Sequence, residues 1–334
     1  MSPINRKQTG LMSANMTNAS DIDRELCTLC PRNCRVRREA GEYGYCRTGR
    51  EYNIASIFMH RGEEPPVSGE AGICNVFFTH CNLQCVFCQN YQISQNKIEH
   101  PEYLTRLPEV VRQIEKLLDR GATGVGFVSP SHCIPQMRKI IRALRGRGRS
   151  PFFVMNTNGY DRKETIESLK EEIDLYLPDL KYMDSELAER YSGAPDYPEI
   201  AAEALKEMFR QKGSRLTTGR DGLSRPGLII RHLILPGQVE NSKACLRFIA
   251  EELSVEVHIS LLAQYHPIPR VRDHPTLGRT LHREEYEEVR EEMVRLGFQR
   301  GWVQELESHD SYLPDFNQAN VFVGTGNGGV DEVN

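Results

Sequence analysis

Cys81, Cys85 and Cys88 fall in the run Thr79-His80-Cys81-Asn82-Leu83-Gln84-Cys85-Val86-Phe87-Cys88-Gln89-Asn90, a C-x3-C-x2-C spacing. It offers three thiolates from one short loop and no fourth close by. Structural zinc sites are closed and nearly always use four protein ligands. A cubane [4Fe–4S] cluster also takes four, one per iron. Three ligands in one loop therefore point to a cluster with one iron left open for a cofactor or substrate. A zinc knuckle completed by a distant ligand, His80 or Cys74, is the competing expectation.

A second group reads Cys27-x2-Cys30-x3-Cys34-x11-Cys46, with Pro31 after its second cysteine and glycines at 41 and 44 before its last. Four thiolates close a site, so a structural metal is expected, and zinc and an auxiliary [4Fe–4S] cluster both fit. Arg32, Arg35, Arg37 and Arg38 would offset the thiolate charge in either case. Seven of the ten cysteines lie in these two groups of a long chain, which reads as metal ligation and not as a disulfide framework. Cys74 and Cys245 read as ordinary buried thiols.

The elements that must position these groups follow from periodicity. Short apolar runs at 76–79, 124–129, 152–156, 175–177, 228–235 and 257–262 alternate with amphipathic stretches. Val110, Val111, Ile114, Leu117 and Leu118 share one helical face; so do Met137, Ile140, Ile141 and Leu144, and later Tyr286, Val289, Met293 and Leu296. Six strands with helices between them predict an open, partial (β/α)6 barrel of α/β class. In such barrels chemistry gathers at the C-terminal strand ends, and the three-cysteine loop directly follows the first strand.

The 334 residues, 39% hydrophobic and 26% charged, suffice for a globular core. The net charge of −4 gives no electrostatic reason to expect nucleic acid or an anionic membrane as partner. Residues 1–25 are polar and aperiodic, expected to be disordered, and lack the apolar stretch of a signal peptide. No run of about 18 apolar residues occurs, and a cytoplasmic protein is expected. The expected domains are a metal module over 26–60, a barrel over 70–300 and a C-terminal extension over 301–334 with a mobile Gly-rich tail. Residues 213–227 read as a flexible surface loop and 138–149 as a basic, solvated helix face.

The cysteine loop, with Phe87 before its last cysteine and an apolar strand before its first, resembles the radical S-adenosylmethionine superfamily, and its pyruvate formate-lyase activating enzyme-like members in particular. The resemblance covers the chain from Cys27 to about Phe316. It implies that Cys81, Cys85 and Cys88 hold a [4Fe–4S] cluster whose open iron binds S-adenosylmethionine. It also implies reductive cleavage to a 5′-deoxyadenosyl radical that abstracts hydrogen.

Asn156-Thr157-Asn158-Gly159 resembles the Asp-Thr-Asn-Gly turn of glycyl-radical-enzyme activases, and Asp179-Leu180-Lys181 their Asp-Leu-Lys motif. There these segments bind S-adenosylmethionine and a monovalent cation. Asn156 keeps an oxygen but loses a charge, which puts the cation in doubt. Arg231 interrupts an apolar strand, and a guanidinium there needs an anionic partner. The resemblance supplies the methionine carboxylate, and places His266 near the adenosyl group. The family's Gly-Gly-Glu stretch is replaced by Gly126-Phe127-Val128-Ser129, so Ser129 is the expected acceptor for the cofactor's ammonium. His132 and Cys133 are expected at the barrel mouth as candidate hydrogen donor or proton shuttle, and His232 is expected to point away from the site.

The function expected is thus a radical S-adenosylmethionine oxidoreductase drawing electrons from flavodoxin or ferredoxin. Its substrate is either a glycyl radical enzyme, as for an activase, or a small molecule or peptide side chain. A non-catalytic metal-binding scaffold is the alternative of a different class.

Overall fold

In the computed structural model, the described residues are 26–97, 106–216, 227–310, 313–318, 321–322 and 330–332. The expectations for the N-terminal 25 residues, for most of the 213–227 loop and for most of the C-terminal tail lie outside them. Among the described residues, nine strands form one sheet in sequential order. They are β1 (Ile54–His60), β2 (Ile73–Phe78), β3 (Gly124–Val128), β4 (Phe152–Thr157), β5 (Leu175–Pro178), β6 (Gly227–Leu233), β7 (His258–Leu262), β8 (Gly301–Gln304) and β9 (Val330–Glu332). Strands β2 to β8 are parallel, while β1 and β9 add antiparallel edges. The sheet does not close, as expected of a partial barrel.

All six expected strands are present because they are covered on both faces. Every residue of β2, β3 and β5 is buried, so these strands read as continuous apolar runs and not as alternations. One face packs on the helices. Val110, Val111, Ile114 and Leu117 of helix Leu107–Asp119, and Met137, Ile140, Ile141 and Leu144 of helix Ile134–Gly146, are buried in that layer. The predicted face of the late helix Arg283–Arg295 is likewise inward at Tyr286, Val289 and Met293. The basic segment departs from expectation at its start. Arg138 is buried, paired with Glu172 at 3.0 Å and donating to the Ser168 hydroxyl at 2.9 Å.

The other face lines the inside of the curved sheet. There Val67, from the short helix Pro65–Ser68 between β1 and β2, packs with Ile73, Val154, Leu175, Leu177, Ile229 and Trp302. These six side chains come from five different strands. The β1–β2 connection therefore enters the concave side and fills its base, carrying Glu63 and Glu64 with it.

Candidate active site

The three-cysteine loop leaves the C-terminal end of β2 with His80 in the left-handed region (φ 64°). Each sulfur has a donor aimed at it. The Leu83 amide and the Asn158 side-chain amide donate to Cys81 Sγ at 3.3 Å each, Ser192 Oγ to Cys85 Sγ at 3.0 Å, and Ser94 Oγ to Cys88 Sγ at 3.3 Å. Burial and the neighbouring Cys85 push the Cys81 thiol up to about 12, and Cys88 rises for the same reasons. Free thiols here would stay protonated at neutral pH, so only a bound metal centre would draw them out as thiolates. Among the described residues no three Cys, His, Asp or Glu side chains already converge as metal ligands do. The fit rests on the donors, which suit a cluster whose sulfurs carry negative charge. Cys74 is raised by burial alone, with no contribution from the loop cysteines, and sits in the helix-side core. It is not placed as a fourth ligand.

Asn156, at the end of β4, lines a cavity of about 550 Å³ together with Gln89, Asn90, Glu63, Glu64 and Arg231. Arg231 has anionic partners within the chain. Its guanidinium meets carboxylates of the chain itself: Nε donates to Glu64 Oε1 at 2.8 Å, and Nη2 to Glu64 Oε2 at 2.6 Å and to Glu63. Glu63 also accepts from the Asn75 side-chain amide at 2.7 Å. Burial alone would raise Glu63, but Arg231, His60 and the hydrogen bonds from Arg231 and Asn75 bring it down to about 2. The adjacent acids before Pro65-Pro66 were the unused signal in the sequence. Two adjacent carboxylates, once buried, require a buried cation.

Asp179 and Lys181 stand together, with Nζ donating to Oδ2 at 2.6 Å. Burial would depress Lys181, yet Asp179, Cys85 and Cys88 hold its ammonium above the usual range. The lysine thus faces both the carboxylate and the cysteine loop. Tyr197 joins the two motif segments. Its hydroxyl lies 2.9 Å from the Asn158 carbonyl and 2.8 Å from that of Asp179, and accepts from the Lys181 amide at 3.0 Å. Ser129, at the end of β3, takes φ 47°, and its amide donates to the Asn156 carbonyl at 2.7 Å. A non-glycine residue held there stores roughly 1–2 kcal/mol of strain. His266 follows β7, partly buried and outside the cavity lining.

His132 and Cys133 are not at the mouth. They are 0% and 3% exposed, and neither lines the cavity. His132 Nε2 lies 2.9 Å from the Thr79 carbonyl, and Arg38 Nη1 donates to the His132 carbonyl at 2.6 Å. Burial pulls His132 down to about 3 and His232, buried 2.7 Å from the Leu180 carbonyl, down to about 4. The unfolded chain binds these protons near pH 6.5 and the folded chain does not. Stability is therefore expected to fall as pH drops from about 6.5 toward 4. Denaturant midpoints taken across that window check this, and the double variant His132→Gln/His232→Gln should show a shallower slope.

Cys27, Cys34 and Cys46 all lie near Cys30, though among the described residues they do not converge as metal ligands do. Burial, then the charges of Cys46, Cys27 and Cys34, push Cys30 up to about 12. The Cys27 amide donates to the Val36 carbonyl and the Arg35 amide to the Cys27 carbonyl, both at 2.9 Å, folding the segment back on itself. Tyr45 N donates to Cys34 Sγ at 3.3 Å and Arg38 Nη2 to Cys46 Sγ at 3.2 Å. A Cβ on Gly44 would lie 2.8 Å from Cys34 Sγ, so only glycine lets the chain pass that sulfur. The donor set fits a four-thiolate metal. The arginines divide their roles: Arg38 meets a thiol, Arg37 pairs with Glu42 at 2.9 Å, and Arg32 reaches away to the other cysteine loop.

Residues 75–226 match the family described as the Radical SAM superfamily. It is 29% identical over 269 residues to the uncharacterised protein MJ0674 of Methanocaldococcus jannaschii, covering 79% of this chain and 73% of the relative. Among solved structures it is similar to a domain of pyruvate-formate lyase-activating enzyme from Bacteroides vulgatus. That likeness has 19% identity and TM-score 0.39, over 55% of this chain and all of that one. SuiB of Streptococcus suis is similar with 14% identity and TM-score 0.44, over 70% of this chain and 50% of that one. Among the described residues no helix is long and apolar enough to cross a membrane.

Proposed function

We propose that this protein is a radical SAM enzyme that holds a [4Fe–4S] cluster on Cys81, Cys85 and Cys88 and uses it on S-adenosylmethionine. When bound, the cluster supplies the electron that cleaves the sulfonium and yields a 5′-deoxyadenosyl radical for hydrogen abstraction; flavodoxin or ferredoxin serves as the external reductant. The observation that carries this reading is the set of side-chain and backbone donors on all three sulfurs beside the half-buried Lys181. Lys181 and Asp179 orient the ligand side of the loop, with Asn156 as a polar contact in the cavity wall. Lys181 provides the positive charge at Asp179 that a monovalent cation would otherwise supply.

The substrate in this reading is a small molecule or a peptide side chain. The cavity of about 550 Å³ is walled by the chain's own Glu63, Glu64, Pro314 and Phe322, and falls within the ~300–1,000 Å³ typical of small-ligand sites. An activase acting on a glycyl radical enzyme would instead need that wall to admit a protein loop. Anaerobic reconstitution with iron and sulfide, then dithionite and S-adenosylmethionine, should yield 5′-deoxyadenosine. A chain with Cys81, Cys85 and Cys88 replaced by Ala should yield none, and the metal it retains identifies the N-terminal site as zinc or auxiliary [4Fe–4S]. Failure of both proteins, with zinc as the sole metal found, would leave the scaffold alternative. Anaerobic capture of a glycyl radical enzyme would restore the activase reading.

A further inference from the structure

The two cysteine groups are apart in sequence and are joined by the side chains of Arg32 and Asn96. Arg32 lies between Cys30 and Cys34, and all three of its nitrogens donate outside its own module. Nε donates to the Asn82 carbonyl at 2.9 Å, Nη1 to the Gly193 carbonyl at 2.7 Å and Nη2 to the Ser192 carbonyl at 3.4 Å. Asn82 directly follows Cys81, and Ser192 is the residue whose hydroxyl donates to Cys85 Sγ. The guanidinium is flanked by two rings, 4.0 Å from the centre of Tyr45 and 5.1 Å from that of Tyr160. Tyr45 adjoins Cys46, and the Tyr160 carbonyl accepts from the Asn82 side chain at 2.7 Å. Asn96 repeats the link, its amide donating to the carbonyls of both Tyr45 (2.8 Å) and Cys81 (2.9 Å).

From this geometry we infer that Arg32 is a positioning residue through which the N-terminal four-cysteine site holds the Cys81–Cys85 stretch in register. A metal held by Cys27, Cys30, Cys34 and Cys46 would fix the turn that carries Arg32, and Arg32 fixes the backbone that presents the first two sulfurs of the other loop. A planar fork with several fixed donors can span three carbonyls; a lysine ammonium cannot. The inference rests on reading the Cys81 loop as the cluster loop, but its mechanical part does not.

The test uses the full chain as wild type, Arg32→Ala, Arg32→Lys and, as a control in the same module, Arg37→Ala, whose side chain meets only Glu42. Amide exchange at residues 82–86 is measured before and after anaerobic reconstitution. The electron paramagnetic resonance signal of the dithionite-reduced cluster is recorded afterwards. A hydrogen bond from a charged donor is worth about 1.5–3 kcal/mol, so exchange at Leu83 and Val86 should rise about tenfold or more in both Arg32 variants. Their cluster signal should broaden or weaken, with Arg37→Ala matching wild type. Free guanidinium should restore Arg32→Ala toward wild type and leave Arg32→Lys unchanged. Unchanged exchange and signal in the Arg32 variants overturn the inference, as does an equal effect of Arg37→Ala. Should Arg32→Ala not fold, Arg32→Lys, which keeps the charge and stem, decides. If wild type takes up no cluster, the proposed function fails, while the exchange arm still judges Arg32.

Discussion

Replacing Arg231 with alanine is expected to cost about 3–5 kcal/mol of stability, the range seen when one partner of a buried ion pair is removed. The guanidinium is the shared partner of Glu63 and Glu64, whose side chains are 6% and 4% exposed. Without it, two carboxylates face each other in the cavity with Asn75 as the remaining donor to Glu63. The pH profile separates this from simple loss of packing. In the wild type Glu63 is depressed to about 2, so its contribution is complete above the ordinary carboxylate range and is lost as pH falls toward 2. In the variant, burial without its counter-ion raises Glu63, so its ionisation destabilises the fold as pH rises through the new value. The gap in stability between wild type and variant should therefore widen as pH rises from about 3 to 6. Chemical denaturation at a series of pH values measures this, and parallel profiles would falsify the account. The triple replacement Glu63→Gln, Glu64→Gln and Arg231→Met should recover much of the loss, since it leaves no unpaired charge behind.

This triad marks where sequence reading stopped. That Arg231 interrupts an apolar strand was legible, and so was its need for an anion. The identity of that anion was not, because Glu63 and Glu64 lie 168 and 167 residues away and reach it only through the β1–β2 connection. The cysteine groups were legible for the opposite reason. Their ligands are local, so spacing alone states how many thiolates one loop offers. Strands β2 to β7 were legible because burial on both faces makes continuous apolar runs. Strand β8 is four residues of Gly-Trp-Val-Gln, too short for such a run, and β1 mixes Ala and Ser into a half-buried edge.

His132 shows the same limit on a smaller scale. A histidine following a strand end was read as standing at the open mouth, but the turn after β3 rotates it inward against the Thr79 carbonyl. Strand ends predict which residues are near a site and not which way each one faces. Lys181 and Asp179 escaped this ambiguity. Their two-residue spacing puts them on one side of an extended segment, and the charges there hold each other.

Gly159→Ala is expected to have the second large effect, of about 2–5 kcal/mol when left-handed strain and overpacking act together. Gly159 ends the Asn156-Thr157-Asn158 turn at φ 79°. A Cβ there would stand 2.4 Å from the Asp179 carbonyl oxygen and 2.8 Å from the Tyr197 hydroxyl. Neither can retreat freely. The Asp179 amide is bound to the Thr157 carbonyl at 2.8 Å, and the Tyr197 hydroxyl already bridges Asn158 and Asp179. The methyl must therefore push the strand end that carries Asp179 and Lys181 away from the one that carries Asn156 and Asn158. Since Asn158 donates to Cys81 Sγ and Lys181 is charge-coupled to Cys85 and Cys88, the displacement would loosen the cysteine loop as well. Equilibrium denaturation should show the loss in stability. Cluster content after anaerobic reconstitution should fall with it, whereas Gly121→Ala, at φ 94° in an open turn with nothing within 4 Å, should lose stability from strain alone and load normally. Equal cluster content in the two variants would mean that the two motif segments are not held by this contact.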